Sequence, residues 1–343
     1  MNSKRFQQVI LLNLALVFLV ITAGAFVRMT GSGMGCPDWP KCFGYLIPPT
    51  ERAQLMWMPN HAYQKGQVII LEESLYVVKQ DFTSQQQYQA ENWEPYTKHD
   101  YARFNVYHTW IEFINRLLGA LAGLTTLILL GLSALYWKKS KQPFLLSLSI
   151  VLGMGFQAWL GKTVVDSNLL PAKITLHMAM ALVIVALLIG LWHWNKQQQQ
   201  VRIEFSRHFY GMTILALILS LIQIGMGTQV RQYVDTQMHH WQLLHPEKWL
   251  ADTPLVFYVH RSFSLLVLGV NGYLGWQLKK FKIHNPTLYW IIGCIGFEII
   301  SGIAMYYFDF PLASQPLHLV IAALLFATQF YILLQQRTIK SKI

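Results

Sequence analysis

Eight long apolar stretches constrain the fold of this chain more than any other feature. They cover roughly residues 8–27, 107–136, 143–165, 173–194, 209–230, 255–277, 288–308 and 316–335. At about 1.5 Å of helix per residue, each stretch can cross about 30 Å of hydrocarbon. The sequence therefore predicts an all-α polytopic membrane protein with eight transmembrane helices.

The charge content supports this prediction. Only 13% of the residues are charged, whereas soluble domains carry about 25%. This deficit excludes a disordered chain, a secreted disulfide scaffold and an ordinary cytosolic enzyme. The first stretch ends in Val27-Arg28-Met29-Thr30 rather than at a small-residue cleavage site, so we expect a retained helix and not a signal peptide.

Basic residues are unevenly divided between the two sides of an eight-span chain. One side carries Lys4, Arg5, Lys138, Lys139, Lys141, Lys196, Arg202, Arg207, Lys279, Lys280, Lys282, Arg337, Lys340 and Lys342. Glu204 is the acidic residue on that side. The positive-inside rule therefore predicts that both termini are cytoplasmic. Since topology explains most of the net charge of +11, we expect no nucleic-acid binding.

Polar residues within the apolar stretches repeat once along the chain. The matching elements are Val27-Arg28 with Val230-Arg231, Asn115-Arg116 with His260-Arg261, Gly155-Phe156-Gln157 and Gly161 with Gly296-Phe297-Glu298 and Gly302, and His177 with His318. Each half contains an even number of spans, so both halves enter the membrane in the same direction. The repeat predicts two pseudo-symmetric four-helix bundles, in residues 1–200 and 201–343.

An insertion of about 58 residues distinguishes the first half, because Arg28 and Asn115 are 87 positions apart whereas Arg231 and His260 are 29 apart. It forms a large outer loop, roughly residues 28–106. Residues 67–78 of this loop are apolar enough to form a strand or to rest on the bilayer surface, and periodicity leaves both open.

Histidines inside the apolar stretches indicate haem ligation. An ionisable side chain costs about 2.5–3.5 kcal/mol at the centre of a membrane helix, so it needs a partner or a cavity. His260 and His318 lie at one predicted depth in the same bundle, and facing histidines of this kind ligate the iron of b-type cytochromes. Arg231 and Arg261 are candidate partners for the haem propionates. Helix-capping or packing histidines are the alternative, which the repeated pattern disfavours.

The N-terminal half lacks one of these ligands. His177 matches His318, but Asn115 stands where the second half has His260, and an amide is a poor iron ligand. Either His108, seven residues before Asn115, replaces the missing ligand, or the N-terminal iron keeps an open position. Unequal sites predict one retained haem and one haem that is acted upon.

A carboxylate shares the helical face of Asn115. His108, Glu112, Asn115 and Arg116 are spaced i, i+4, i+7 and i+8, which places them on one stripe of a helix. Glu112 is a candidate catalytic proton acceptor. A salt bridge to Arg116 at i+4 is the structural alternative.

Two cysteines lie near the start of the outer loop. Cys36 and Cys42 fall on the side predicted to face an oxidising compartment, which favours a disulfide. Their spacing is unlike that of zinc sites. A stiff structural turn and a redox role both remain open for this pair.

Several of these segments together resemble the haem A synthases. The resemblance lies in residues 28–40, with the sequence RMTGSGMGCPDWP, in Glu112–Arg116, in Gln157, Gly161 and His177, and in His260, Arg261 and His318. It extends over essentially all eight spans. It implies an enzyme of the bacterial cytoplasmic membrane that oxidises the C8 methyl group of haem O to a formyl group and supplies haem A to cytochrome oxidase.

The resemblance also implies roles for individual residues. His260 and His318 would hold a cofactor haem b, Glu112 would be the essential carboxylate, and His177 would lie beside the substrate haem O. We group Arg28, His108, Asn115 and Arg116 with His177 as candidate substrate-binding residues. Asn115 departs from the histidine usual in the family. The cysteine pair matches one found in some members, for which a thiol–disulfide step has been proposed.

The implied partners are haem O, membrane lipid, an unidentified electron donor or acceptor, and a second copy of the chain, with haem O synthase and cytochrome oxidase as candidate protein partners. Two alternative functions remain open. A di-haem electron-transfer subunit would need two closed bis-histidine sites, which Asn115 and Glu112 disfavour. A haem carrier or chaperone would share the repeat and the open site but would leave the macrocycle unchanged.

Overall fold

The computed structural model describes residues 3–97, 104–196, 203–280 and 286–338. Within these ranges, eight helices are long and apolar enough to cross a membrane. They are α1 (Ser3–Met29), α2 (Val106–Ala134), α3 (Gln142–Asp166), α4 (Pro171–Lys196), α5 (Arg207–His240), α6 (Leu255–Lys280), α7 (Pro286–Tyr307) and α8 (Ser314–Gln335). All eight predicted spans are confirmed. The predicted boundary near residue 200 and the basic residues Arg202, Lys282, Lys340 and Lys342 lie outside the described residues.

Local sequence explains where several helices begin. The Asn105 side chain accepts hydrogen bonds from the backbone N–H groups of Tyr107 and His108 at the start of α2. The Ser206 hydroxyl accepts from the Phe209 N–H at the start of α5. Both caps satisfy donors that a helix N-terminus leaves unpaired. Helices α4 and α7 begin at Pro171 and Pro286. The N–H groups of a helix's first turn have no partner within the helix, so proline, which has no N–H group, is favoured there.

The fifth helix extends beyond the predicted span. The predicted stretch ends at residue 230, but α5 continues to His240. Hydropathy falls where polar residues begin, but a helix continues for as long as its backbone groups form intrahelical hydrogen bonds. Arg231 and Asp235 are therefore helical side chains that project into the interior.

The helices pack as two four-membered rings. α1 contacts α2 and α4, and α3 contacts the same two helices; α5 contacts α6 and α8, and α7 contacts the same two. α8 also packs against α1 and α4 and joins the two bundles. Their shared apolar core includes Ile10, Leu188 and Ala327. The predicted architecture of two four-helix bundles is thus observed.

The outer loop contains two small antiparallel sheets. Strands β2 (Val68–Leu71), β3 (Ser74–Val78) and β5 (Trp93–Pro95) pair in that spatial order, and β1 (Ala62–Tyr63) pairs with β4 (Phe82–Thr83). Residues 67–78 therefore form a hairpin, which decides between the two alternatives. β2 is buried on both faces: Val68 and Ile70 pack on the cysteine pair, and Ile69 packs on an aromatic cluster around Trp93. On the other side of the bundles, β6 (Ile203–Phe205) pairs in parallel with β7 (Gln336–Thr338).

Candidate functional site

A cavity of about 2610 Å³ extends through both bundles. The predicted site residues that line it are Arg28, Glu112, Asn115, Arg116, His177, Arg231, His260, Arg261 and His318. His108 is not among the described residues that line it; this half-buried side chain lies at the outer end of α2. The fold therefore brings the two predicted haem sites into one continuous space, but does not bring His108 to it.

His260 of α6 and His318 of α8 face each other across the C-terminal bundle. The centres of the two imidazole rings are 6.5 Å apart. Bonds of about 2.0–2.1 Å from each nitrogen to a shared metal ion, plus the distance from nitrogen to ring centre, require roughly 6 Å. The separation fits an iron ion held between the two rings.

Two glycines leave room for these histidines. A Cβ atom on Gly227 would lie 3.1 Å from Cε1 of His260, and one on Gly302 would lie 3.9 Å from Cε1 of His318. Nδ1 of His260 is buried and has no hydrogen-bond partner among the described residues. The pocket thus combines small neighbours with an imidazole available for coordination.

The N-terminal bundle repeats this arrangement with one substitution. A Cβ atom on Gly24 would lie 3.8 Å from Oδ1 of Asn115, and one on Gly161 would lie 3.4 Å from Cε1 of His177. The Gln157 amide donates to the backbone carbonyl of His177 at 3.1 Å. Oδ1 of Asn115 and Nδ1 of His177 are buried without a partner in the described part of the chain. Asn115 therefore occupies the histidine position of the repeat.

Glu112 is buried at 4% exposure and connects α2 to the outer loop. Its Oε2 accepts the backbone N–H of Cys36 at 2.8 Å, and its Oε1 accepts from the Arg116 guanidinium. The salt bridge considered as the structural alternative is therefore present. An ionised carboxylate offers about four acceptor positions, so these two donors do not saturate it, and Glu112 lines the cavity.

Two side chains of α2, Arg116 and Thr109, hold the outer loop against this helix. Arg116 donates to the backbone carbonyls of Asp38 and Lys41 at 2.7 and 2.9 Å, and the Thr109 hydroxyl donates to the carbonyl of Gly35 at 2.8 Å. A Cβ atom on Gly35 would lie 2.4 Å from the carbonyl oxygen of His108. Only glycine permits the loop to approach α2 this closely.

The segment after Gly35 is closed by a disulfide and by a buried acid. Cys36 and Cys42 are bonded, which confirms the predicted pair. The Asp38 carboxylate accepts the N–H groups of Phe43 and Gly44 at 2.5 and 2.9 Å. Burial raises the pKa of Asp38, although these two donors and the Arg116 charge oppose that shift. We call residues 35–44 the disulfide loop.

A further ionic cluster lies between the two bundles. Asp235 of α5 pairs with Arg28 of α1 and, at 2.8 Å, with Arg231 one helical turn before it. Arg231 also donates to the side chain of Gln315. The prediction overlooked Asp235 because it placed residue 235 beyond the span. The i,i+4 spacing from Arg231 could have identified it.

Arg261, the other predicted propionate partner, lies at the cavity wall. Its guanidinium is 5.5 Å from the ring centre of Tyr306 on α7, within the range of a cation–π contact. It is exposed, so its hydrogen-bond donors remain available to an anionic group.

The chain is similar to known proteins over most of its length. The profile of a family described as cytochrome oxidase assembly protein matches residues 7–82 and 71–330. A protein of Flavobacterium psychrophilum named heme A synthase is 25% identical over 343 residues, covering 93% of this chain and 94% of that protein. One of Ehrlichia ruminantium with the same name is 23% identical, covering 95% and 93%. One of Shewanella oneidensis is 29% identical over 170 residues, covering 49% of this chain and 39% of that protein.

Proposed function

The chain belongs to the cytochrome oxidase assembly protein family, and on that premise we propose that it is a haem A synthase of a bacterial cytoplasmic membrane. The proposed reaction oxidises the C8 methyl group of haem O to a formyl group through successive hydroxylations. The observation that carries the proposal is the pair of unequal sites on one cavity, one with facing histidines and one with Asn115 in place of a histidine.

The C-terminal bundle, residues 201–343, is the proposed site of a resident haem b. His260 and His318 would ligate its iron, and Arg231 and Arg261 would bind its propionates. Bound there, haem b supplies a one-electron couple for exchange with an external donor or acceptor. The protein's own contribution is to fix both imidazoles and to exclude water from the pocket.

The N-terminal bundle, residues 1–200, is the proposed site of haem O. His177 would contact the substrate iron, and Asn115 would leave the opposite side less tightly held. Arg28 and Arg116 are the proposed partners of the haem O propionates, which would share these guanidinium groups with Asp235 and Glu112. This looser site suits a substrate that must enter and a product that must leave.

Glu112 is the proposed catalytic carboxylate. It lines the cavity and keeps acceptor capacity beyond its bonds to Cys36 and Arg116. In this position it would accept a proton, or stabilise positive charge that develops at the carbon being oxidised. Arg116 would fix the carboxylate in place, because its guanidinium is itself held by the carbonyls of Asp38 and Lys41.

The alternatives are separated by the fate of the macrocycle. The chain is expressed in a bacterial host that makes haem O and no haem A, and the pigments of its membranes are extracted and separated. A haem A synthase converts haem O to haem A. A di-haem electron-transfer subunit or a haem carrier leaves haem O unchanged, and that result would overturn the proposal.

We also expect both termini to be cytoplasmic. The basic residues between the spans support this orientation. One cysteine introduced near Lys4 and another introduced in the outer loop would each be labelled with a membrane-impermeant thiol reagent in intact cells. Labelling of the cysteine near Lys4 alone would show the opposite orientation.

A further inference from the structure

Nδ1 of His318 lies beside two groups of the neighbouring helix α7 that can accept a hydrogen bond. It lies 2.9 Å from Oγ of Ser301 and 3.1 Å from Oε2 of Glu298. Both acceptors are largely buried, with the Glu298 side chain 17% exposed.

The neighbouring contacts indicate which nitrogen His318 offers to a metal ion. The Ser301 hydroxyl donates to the backbone carbonyl of Glu298 at 3.1 Å, which leaves its oxygen to accept from Nδ1 of His318. The Glu298 carboxylate lies on the same side of the ring. Because both groups lie at Nδ1, Nε2 is the nitrogen that His318 can offer to a metal ion.

The matching histidine of the N-terminal bundle is held differently. Gln157 and Leu160 stand where the second half has Glu298 and Ser301. Nδ1 of His177 has no partner among the described residues, and the amide nitrogen of Gln157 lies 3.5 Å from Nε2 instead. An acid thus supports one histidine of the repeat, and an amide lies beside the other.

From this contrast we infer that Glu298 is a positioning residue that makes the His260–His318 site the one that retains its haem. A carboxylate that accepts from Nδ1–H fixes the orientation of the ring and raises its basicity as a ligand. Because a more basic imidazole stabilises ferric iron, Glu298 also lowers the reduction potential of that haem. At His177, Gln157 cannot do the same, so that site exchanges its haem. The inference deepens the proposed function and rests on it.

The test uses the full-length protein, purified in detergent from a host that makes haem b but no haem O. Glu298→Gln keeps the size of the side chain, and Ser301→Ala removes only the second acceptor. Glu247→Gln is the matched control, since Glu247 is an exposed carboxylate of the outer face. Two quantities are measured: the rate of haem transfer to excess apomyoglobin, and the midpoint potential of the bound haem.

We expect Glu298→Gln to lose haem about 10–100-fold faster than the wild type, the range found for such supporting partners. A tenfold preferential weakening of the ferric form raises the midpoint potential by about 59 mV. Ser301→Ala should shift both quantities in the same direction by less, and Glu247→Gln should shift neither. Unchanged transfer rates and potentials in Glu298→Gln and Ser301→Ala would overturn the inference.

Two further outcomes are distinguishable. If Glu298→Gln elutes as an aggregate in gel filtration, Ser301→Ala decides: a shift supports the inference and wild-type behaviour overturns it. If the wild type holds haem b and Glu298→Gln releases it, but haem O is never converted in cells, the proposed function fails while the role of Glu298 stands.

Discussion

Oε2 of Glu112 accepts the backbone N–H of Cys36 at 2.8 Å, although the two residues are 76 positions apart in the chain. The cavity's proposed catalytic acid and the disulfide loop are therefore one structural unit. We expect a substitution in the disulfide loop to displace the Glu112 carboxylate, and a substitution of Glu112 to loosen the loop, because one contact positions the carboxylate and anchors the loop.

Replacing Glu112 should separate chemistry from haem binding. Glu112→Ala is expected to abolish formation of haem A and to leave the haem of the His260–His318 site in place, since that site lies in the other bundle. The measurement is pigment extraction from membranes, together with the reduced-minus-oxidised spectrum of the purified variant. Full activity in Glu112→Ala would end the catalytic assignment.

Gly35 should tolerate no side chain. A Cβ atom there would overlap backbone atoms of His108 and Thr109 at 2.4–2.7 Å, so Gly35→Ala must push the disulfide loop away from α2. Overpacking of this kind costs about 1–3 kcal/mol. Limited proteolysis of the outer loop should be faster in Gly35→Ala than in the control Gly211→Ala, whose added methyl group meets open space. Equal rates would contradict the close approach.

The disulfide should matter for the loop more than for the bundles. Replacing both Cys36 and Cys42 with alanine removes a cross-link over a short loop, worth roughly 2 kcal/mol. We expect faster proteolysis of the outer loop, with the haem content of the C-terminal bundle unchanged. If the pair also takes part in redox chemistry, turnover is lost in the double variant while the protein remains folded. Turnover equal to that of the wild type would limit the pair to a structural role.

These contacts also show what a single sequence can and cannot predict. Hydropathy located all eight spans, and the repeat identified His177 and His318 as residues that line the cavity, because both predictions depend on patterns within single helices. The contact between Glu112 and Cys36 depends on the path of the outer loop, which no local pattern encodes. The same holds for the pairing of Asp235 with Arg28, which joins side chains from different bundles.

Asp235 should contribute strongly to the joint between the bundles. Asp235→Asn leaves the guanidinium groups of Arg28 and Arg231, which are 14% and 15% exposed, without a countercharge. Removing one member of a fully buried ion pair costs about 3–5 kcal/mol; because Asp235 is 30% exposed, the loss should lie below that range and above the cost of breaking a surface pair. Thermal unfolding in detergent should show this loss, whereas Asp166→Asn, which breaks a more exposed pair with Lys162, should cost at most about 1 kcal/mol. Similar unfolding temperatures for the two variants would contradict the role of Asp235.

Both facing histidines should be required for the retained haem. His260→Ala and His318→Ala would each remove one proposed iron ligand, so we expect loss of the low-spin b-type spectrum of the purified protein. His240→Ala is the control, because His240 is exposed at the end of α5. A wild-type spectrum in either His260→Ala or His318→Ala would remove that residue from the ligand set.

The pigments bound to the purified wild-type protein test the central claim most directly. The protein is produced in a host that supplies haem O, and its pigments are extracted and identified by mass. Two unequal haem sites predict haem b together with haem O or haem A. A folded preparation that is colourless and free of iron, yet still active in cells, would contradict the account.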